Sequence, residues 1–348
     1  MRRTGADVRV VGVGGAGGNA LARMIGLGVR GSTSIAVNTD AVALAAHPAD
    51  HAVVLGARTT RGLGAGGDPE VGLRAARESA RELGAALDGA DMVFVAAGMG
   101  GGTGTGAAPL VAQLARRSGA LVVGVVSVPF GFEGRRRRRV AQEGIEALRA
   151  QSDSLLVVDN DRLLALDGEE PPIGRAFERA DTILAEGVRS MGDLVMRSGL
   201  INLDFADVRR VLADGGRAVM GTGVGRGPER AMEAVRGASA SPLLDDDRIE
   251  GARGVLLAFR ADPKIGVGAL HRAAARVQAE VDDDADILFG VTIDPSLEDE
   301  VHVTLVAAGL PERGARAPAE AAPAAEVRRR NALVLLEQAP VLARARVR

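Results

Sequence analysis

Apolar and β-branched runs alternate with longer amphipathic stretches through the first half of the chain. Val8–Val13, Ser34–Val37, Met92–Ala97, Leu121–Val128 and Leu155–Val158 read as strands. Asn19–Ile25, Pro69–Leu87, Ala107–Arg117 and Arg137–Ala150 fit as helices between them, and a strand-helix alternation of this kind predicts a largely parallel sheet. Over Ile173–Arg197, Phe177, Leu184, Val188, Met191 and Val195 recur at helical spacing, so one long helix is expected to join two domains. The second half has its own rhythm. Strands are predicted near Arg217–Val224, Ala252–Ala261, Ile287–Ile293 and Val301–Ala307, with helices near Pro228–Ala238 and Val267–Val281. The expected organisation is an α/β domain over residues 1–170, a central helix over 171–200, a smaller α/β domain over 201–310, and a tail over 311–348.

Composition narrows the function. With 348 residues, 47% hydrophobic and 25% charged, the chain can fill two cores. No apolar run is long enough for a membrane span, and the first residues lack the apolar segment of a signal peptide, so the cytoplasm is the expected location. There is no cysteine, which excludes disulfides, thiolate nucleophiles and Cys-based zinc sites. The four histidines, His47, His51, His271 and His302, form no metal-ligand cluster apart from the His47/His51 pair, which is expected in a loop. The single lysine, Lys264, lies far from any glycine-rich loop, so no Walker-type phosphate loop is present. A formal net charge of −2 argues against a dedicated nucleic-acid binder.

Two glycine loops carry the chemistry. The first strand runs into Gly12-Val13-Gly14-Gly15-Ala16-Gly17-Gly18-Asn19, with Asp40 at the end of the next strand. Glycines let the backbone approach phosphates, and a helix N-terminus favours an anion. Taken alone, this loop fits an NAD-dependent dehydrogenase. A second loop, Gly98-Met99-Gly100-Gly101-Gly102-Thr103-Gly104-Thr105-Gly106, has no place in that reading, because six glycines in nine residues exceed what one tight turn needs. Its amides can form an anion-binding nest, with the Thr103 and Thr105 hydroxyls as further donors. Two such loops on adjacent strand ends point to a polyphosphate ligand.

The segment Gly100–Gly106, GGGTGTG, resembles the signature of the tubulin and FtsZ family. Gly12–Asn19, Asn38–Asp40, Gly62–Gly66, Pro129–Gly134, Asn160–Asp161 and Asn202–Val208 are similar to the family in order and spacing. The resemblance implies a tubulin-like fold: a Rossmann-type GTP-binding domain, a central helix and an activation domain. It also implies GTP/GDP and Mg2+ as ligands, and a head-to-tail homopolymer acting in the cell-division ring at mid-cell, with a non-divisional filament GTPase of the same superfamily as the alternative. By the same resemblance, Gly14, Gly15, Ala16, Gly17, Gly18, Asn19, Asp40, Gly98, Gly101, Gly102, Thr103, Gly104, Thr105 and Gly106 surround the nucleotide. Glu133 and Arg137 serve the ribose and phosphate side, and Asn160 helps hold the guanine.

Phe177 and Asp181 stand four apart on one helix face. Spacing alone also fits a core ring beside a solvated carboxylate; the resemblance makes them a base-stacking ring and a guanine acceptor. Asp204 and Asp207 stand where acidic residues cap a helix predicted over Asp204–Leu212. The resemblance gives them another role, polarising water at the γ-phosphate of the neighbouring subunit with help from Asn202. Of Arg135–Arg139, it assigns a role to Arg137 only. Division-ring or membrane-anchoring proteins are further implied partners. The tail, however, with eight arginines and four glutamates, is unlike the short acidic peptide with which relatives bind such adaptors.

Overall fold

The computed structural model describes residues 6–28, 31–164, 171–196, 200–201, 204–213, 216–241, 244 and 249–310. Strand β1 (Val8–Val13) is buried along nearly its whole length, as a parallel strand covered on both faces must be. It pairs in parallel with β2 (Ser32–Asn38) and with β4 (Met92–Gly98). Beyond β2 lies β3 (His51–Val54), and beyond β4 lie β5 (Leu121–Val128) and β6 (Ser154–Asp159), all parallel. The connecting helices are α1 (Gly14–Gly26), α2 (Ala41–Ala45), α3 (Pro69–Glu78), α4 (Ala80–Leu87), α5 (Thr103–Arg117), α6 (Arg135–Arg149) and α7 (Asn160–Leu164).

The second half comprises α8 (Ile173–Met196), α9 (Phe205–Ala213), β7 (Gly216–Arg226), α10 (Arg230–Ser239), β8 (Gly254–Ala261), α11 (Val267–Gln278), β9 (Asp286–Ile293) and β10 (Glu300–Leu310). Its strands continue the same sheet, whose order is β3-β2-β1-β4-β5-β6-β7-β10-β8-β9. The two halves join where Ser154, Leu155 and Leu156 of β6 pair in parallel with Gly216, Arg217 and Ala218 of β7. β10 then runs antiparallel between β7 and β8.

Apolar packing follows this layout. On one face of the first half, α3 to α6 cover Val11, Val93, Val95, Val122 and Val126. On the other, α1 and α8 cover Val8, Val10, Phe94 and Val123. The buried stripe of α8, including Leu184, Val188 and Met191, also shares a cluster with Met220 of β7, Leu256 of β8 and Val306 of β10. One apolar layer thus spans both halves, while α10 and α11 close a separate core around Val255, Phe259 and Leu305.

Several expected boundaries move. Helices α1 and α5 begin inside the glycine loops, at Gly14 and Thr103, rather than at Asn19 and Ala107. The helix expected over Pro69–Leu87 breaks at Ser79, whose hydroxyl is 3.0 Å from the Gly56 amide and accepts its hydrogen bond. His51, expected in a loop, opens the edge strand β3, while His47 contacts the Gly18 carbonyl through Nε2 at 2.8 Å. Among the described residues no helix is long and apolar enough to cross a membrane.

Candidate functional site

The glycine loops leave the carboxyl ends of the paired strands β1 and β4, where Val13 registers with Ala97. They interlock through missing side chains. A β-carbon on Gly17 would lie 2.2 Å from the Ala96 carbonyl oxygen near the end of β4, and one on Gly14 would lie 2.9 Å from the Gly104 amide nitrogen. Gly98 faces Ala16, so each loop seats the other. The helix starts at Gly14 and Thr103 are therefore brought side by side. The Gly62–Gly66 segment closes on the second loop, because Gly102 abuts Ala65 and Asp68. Thr39 and Thr103 share a hydrogen bond between hydroxyls at 2.6 Å.

Not every residue of the loops faces outward. Thr105 is buried, and its hydroxyl accepts from the Gly100 amide at 2.9 Å, so it braces the turn. Gly104 and Gly106 are buried inside α5 and permit close packing. Asp40 caps α2, accepting from the Val42 and Ala43 amides at 2.9 and 3.1 Å. The open space lies over Gly15 and Gly101, where an added β-carbon would meet nothing within 4 Å. Two helix N-termini beside an open, glycine-lined surface suit a phosphate chain.

The second wall comes from α8, which packs against α1. Asp181 of α8 meets Asn19 and Arg23 of α1 beside a cavity of about 570 Å³ that these residues line with Ala22, Gly26 and Leu27. Burial pushes the Asp181 carboxyl up to about 6, against the pull of the Arg23 guanidinium and a hydrogen bond from Asn19. Phe177, one turn earlier, is 40% exposed although large apolar rings ordinarily prefer burial. Its ring centroid lies 5.2 Å from Phe130 in an edge-on contact, and Phe130 stacks on Phe132 at 5.1 Å. Phe132 is also largely exposed. Two open rings and a half-buried carboxylate could hold a flat heterocycle with N–H donors on one edge.

The Pro129–Gly134 loop and the β6–α7 turn complete this side. Glu133 accepts from the Phe130 amide at 2.9 Å and pairs with Arg137 at 2.8 Å. Asn160 is 5% exposed, yet among the described residues its Oδ1 atom has no hydrogen-bond partner. A buried acceptor without a donor is costly, so a ligand donor is the natural complement. Arg138, undistinguished within an arginine run in the sequence, contacts the carboxylates of both Asp159 and Asp161. Sequence reasoning missed it because the five arginines look alike until the fold orders them.

Asp204 and Asp207 sit elsewhere. Asp204 caps α9, its carboxylate accepting from the Ala206 amide at 3.3 Å and its carbonyl from Asp207 and Val208. Asp207 is about half exposed and lies 3.4 Å from Arg210, which also approaches Asp286 at the start of β9. Arg209 donates to the Gly119 carbonyl at 2.7 Å, just before β5 begins, and α9 ends shortly before β7 begins. All these anchors lie at the amino ends of parallel strands. The glycine loops lie at the carboxyl ends, across strands of six residues, or about 20 Å. Asn202, the third expected member, lies outside the described residues.

Comparisons with known proteins identify the fold and the family. Residues 7–167 match the Tubulin/FtsZ family GTPase domain, and residues 216–311 match the FtsZ family C-terminal domain. An empty FtsZ dimer from M. jannaschii is 43% identical with a TM-score of 0.85, the match covering 88% of this chain and 89% of that one. A tryptophan-to-tyrosine mutant of FtsZ from M. jannaschii gives 42% identity, a TM-score of 0.84, and 88% and 92% coverage. CetZ2 from Haloferax volcanii, in a GTPγS-bound protofilament, superposes with a TM-score of 0.76 over 95% of this chain and 99% of that one; at 23% identity it shows the shared fold. With more than 40% identity to FtsZ across both matched domains, the chain belongs to the FtsZ family of the tubulin superfamily.

Proposed function

We propose that this chain binds and hydrolyses GTP, polymerises head to tail into filaments, and builds the cell-division ring at mid-cell in the cytoplasm. Residues 1–170 would bind the nucleotide, 171–200 would link, and 201–310 would complete the neighbour's site. One observation carries the reading. The glycine-lined cradle and the two aspartates lie at opposite ends of the parallel strands of one sheet, so one copy does not bring them together.

In this mechanism the amides of both loops, the Thr103 hydroxyl and the helix starts at Gly14 and Thr103 hold the phosphates. Asp181, Asn19 and Asn160 take the polar edges of the nucleoside, with Phe177 against its face. Magnesium, when bound, would be held by phosphate oxygens and would neutralise their charge. Asp207 and Asp204 of the next copy would then orient a water molecule and accept its hydrogen bonds. Phosphoryl transfer asks mainly for positioning and charge neutralisation, which explains how the site works without a lysine beside its phosphates. Such a contact joins unlike surfaces, and repeating it gives an open filament. Division-ring or membrane-anchoring proteins would be the outside partners.

Mixing two inactive variants tests the proposal. Gly15→Glu places a carboxylate in the open space over the loops and repels phosphate, while Asp207→Ala removes a carboxylate at the other end of the strands. Each should be inactive alone. A mixture should recover activity, because a Gly15→Glu chain can offer its aspartates to an Asp207→Ala neighbour. A mixture as inactive as its components would argue against a shared site.

A further inference from the structure

We propose that Arg138 is a positioning residue for nucleoside recognition, acting through Asn160. The inference deepens the reading of this site as a GTP site and rests on it. The Arg138 guanidinium reaches the carboxylate of Asp159 on one side of Asn160 and that of Asp161 on the other, the latter at 2.8 Å. A planar, forked donor suits this double capture, and a lysine could not span it equally well. Asp161 also accepts from the Gly131 amide at 2.8 Å. Its carboxylate comes within 3.2 Å of where a Gly131 β-carbon would stand. Arg138 therefore pins the end of β6 to the start of α6, and Asp161 pins the same turn to the loop that carries Phe130 and Phe132.

Asn160 lies between the two clamped carboxylates, with its amide oxygen buried and without a donor among the described residues. Holding that acceptor ready has value only if a ligand supplies the donor. A nucleoside offers two, an N–H on the base edge or a ribose hydroxyl. The clamp is partly solvated, with Arg138 45% exposed, and exposed ion pairs add little to stability. Its effect should therefore appear in recognition rather than in folding.

The test uses the full chain stripped of nucleotide, with calorimetric binding of GDP, inosine diphosphate and 2′-deoxy-GDP. Arg138→Ala should weaken GDP binding about tenfold or more, while the melting temperature of the free protein moves by no more than about 2 °C. GDP should also lose its advantage over one analogue, and over the same one in Asn160→Leu. Arg138→Lys should recover part of the loss. Unchanged GDP affinity in Arg138→Ala would overturn the proposal. So would a uniform loss for all three nucleotides accompanied by a large fall in melting temperature, which marks a merely structural role. Failure of the wild-type chain to bind GDP would instead overturn the GTP-site reading, and this inference with it.

Discussion

Replacing Gly17 or Gly15 by alanine separates the two uses of glycine in the first loop. Both residues lie in α1, where alanine should gain up to about 1 kcal/mol of helix propensity. At Gly17 the new methyl carbon would stand 2.2 Å from the Ala96 carbonyl oxygen, so backbone rather than a flexible side chain must move. Overpacking of that kind costs about 1–3 kcal/mol, leaving a net loss of about 2 kcal/mol at the upper end. At Gly15 the methyl meets nothing within 4 Å, and the propensity gain stands. For a unit of this size about 2–4 °C follows each kcal/mol. Gly17→Ala should therefore melt below wild type, by up to about 4–8 °C, in nucleotide-free calorimetry, and Gly15→Ala at or slightly above it. If the two variants melted together, the interlocked loops would be the wrong account of these glycines.

Three further outcomes follow. Asp207→Ala should leave GDP affinity within about twofold while turnover falls about 10²–10⁴-fold, as for a lost positioning group; normal turnover in a folded variant would refute the assignment. Because burial raises Asp181 to about 6, its proton is held more tightly in the folded chain than in the unfolded one. The free protein should therefore lose stability as pH rises from about 4 through 6, and a urea series would show it. GTP affinity should move the opposite way, falling by at most about tenfold per unit below pH 6 as the acceptor is protonated; Asp181→Asn should bind more weakly and lose this pH dependence.

The strands of the first half were legible in the sequence because parallel strands buried on both faces are continuous apolar runs. The helix starts at Gly14 and Thr103 were not, since glycine is a poor helix former and only packing of one loop on the other makes it helical there. Edge strand β3 is short and half exposed, so it left little pattern. The break at Ser79 depends on a distant partner, Gly56. Likewise the β6–β7 pairing that joins the halves links residues some sixty positions apart and has no local signature. In the site, the Phe177–Asp181 spacing could be read from helical periodicity, and their convergence with Asn19 is what the fold adds. Thr105 shows the converse. Its loop motif suggested a ligand contact, and the structure shows a further role, its oxygen accepting from the Gly100 amide.

The central claim is that the cradle and the aspartates act together only across two copies. Phosphate release from GTP, measured with magnesium in excess over a hundredfold range of protein concentration alongside light scattering, tests it most directly. The account predicts a specific activity near zero in dilute solution that rises together with scattering past a threshold, since each productive site requires two chains and mass action must bring them together. A specific activity that stays constant across the range would contradict it, because a site complete within one chain has no need of a neighbour.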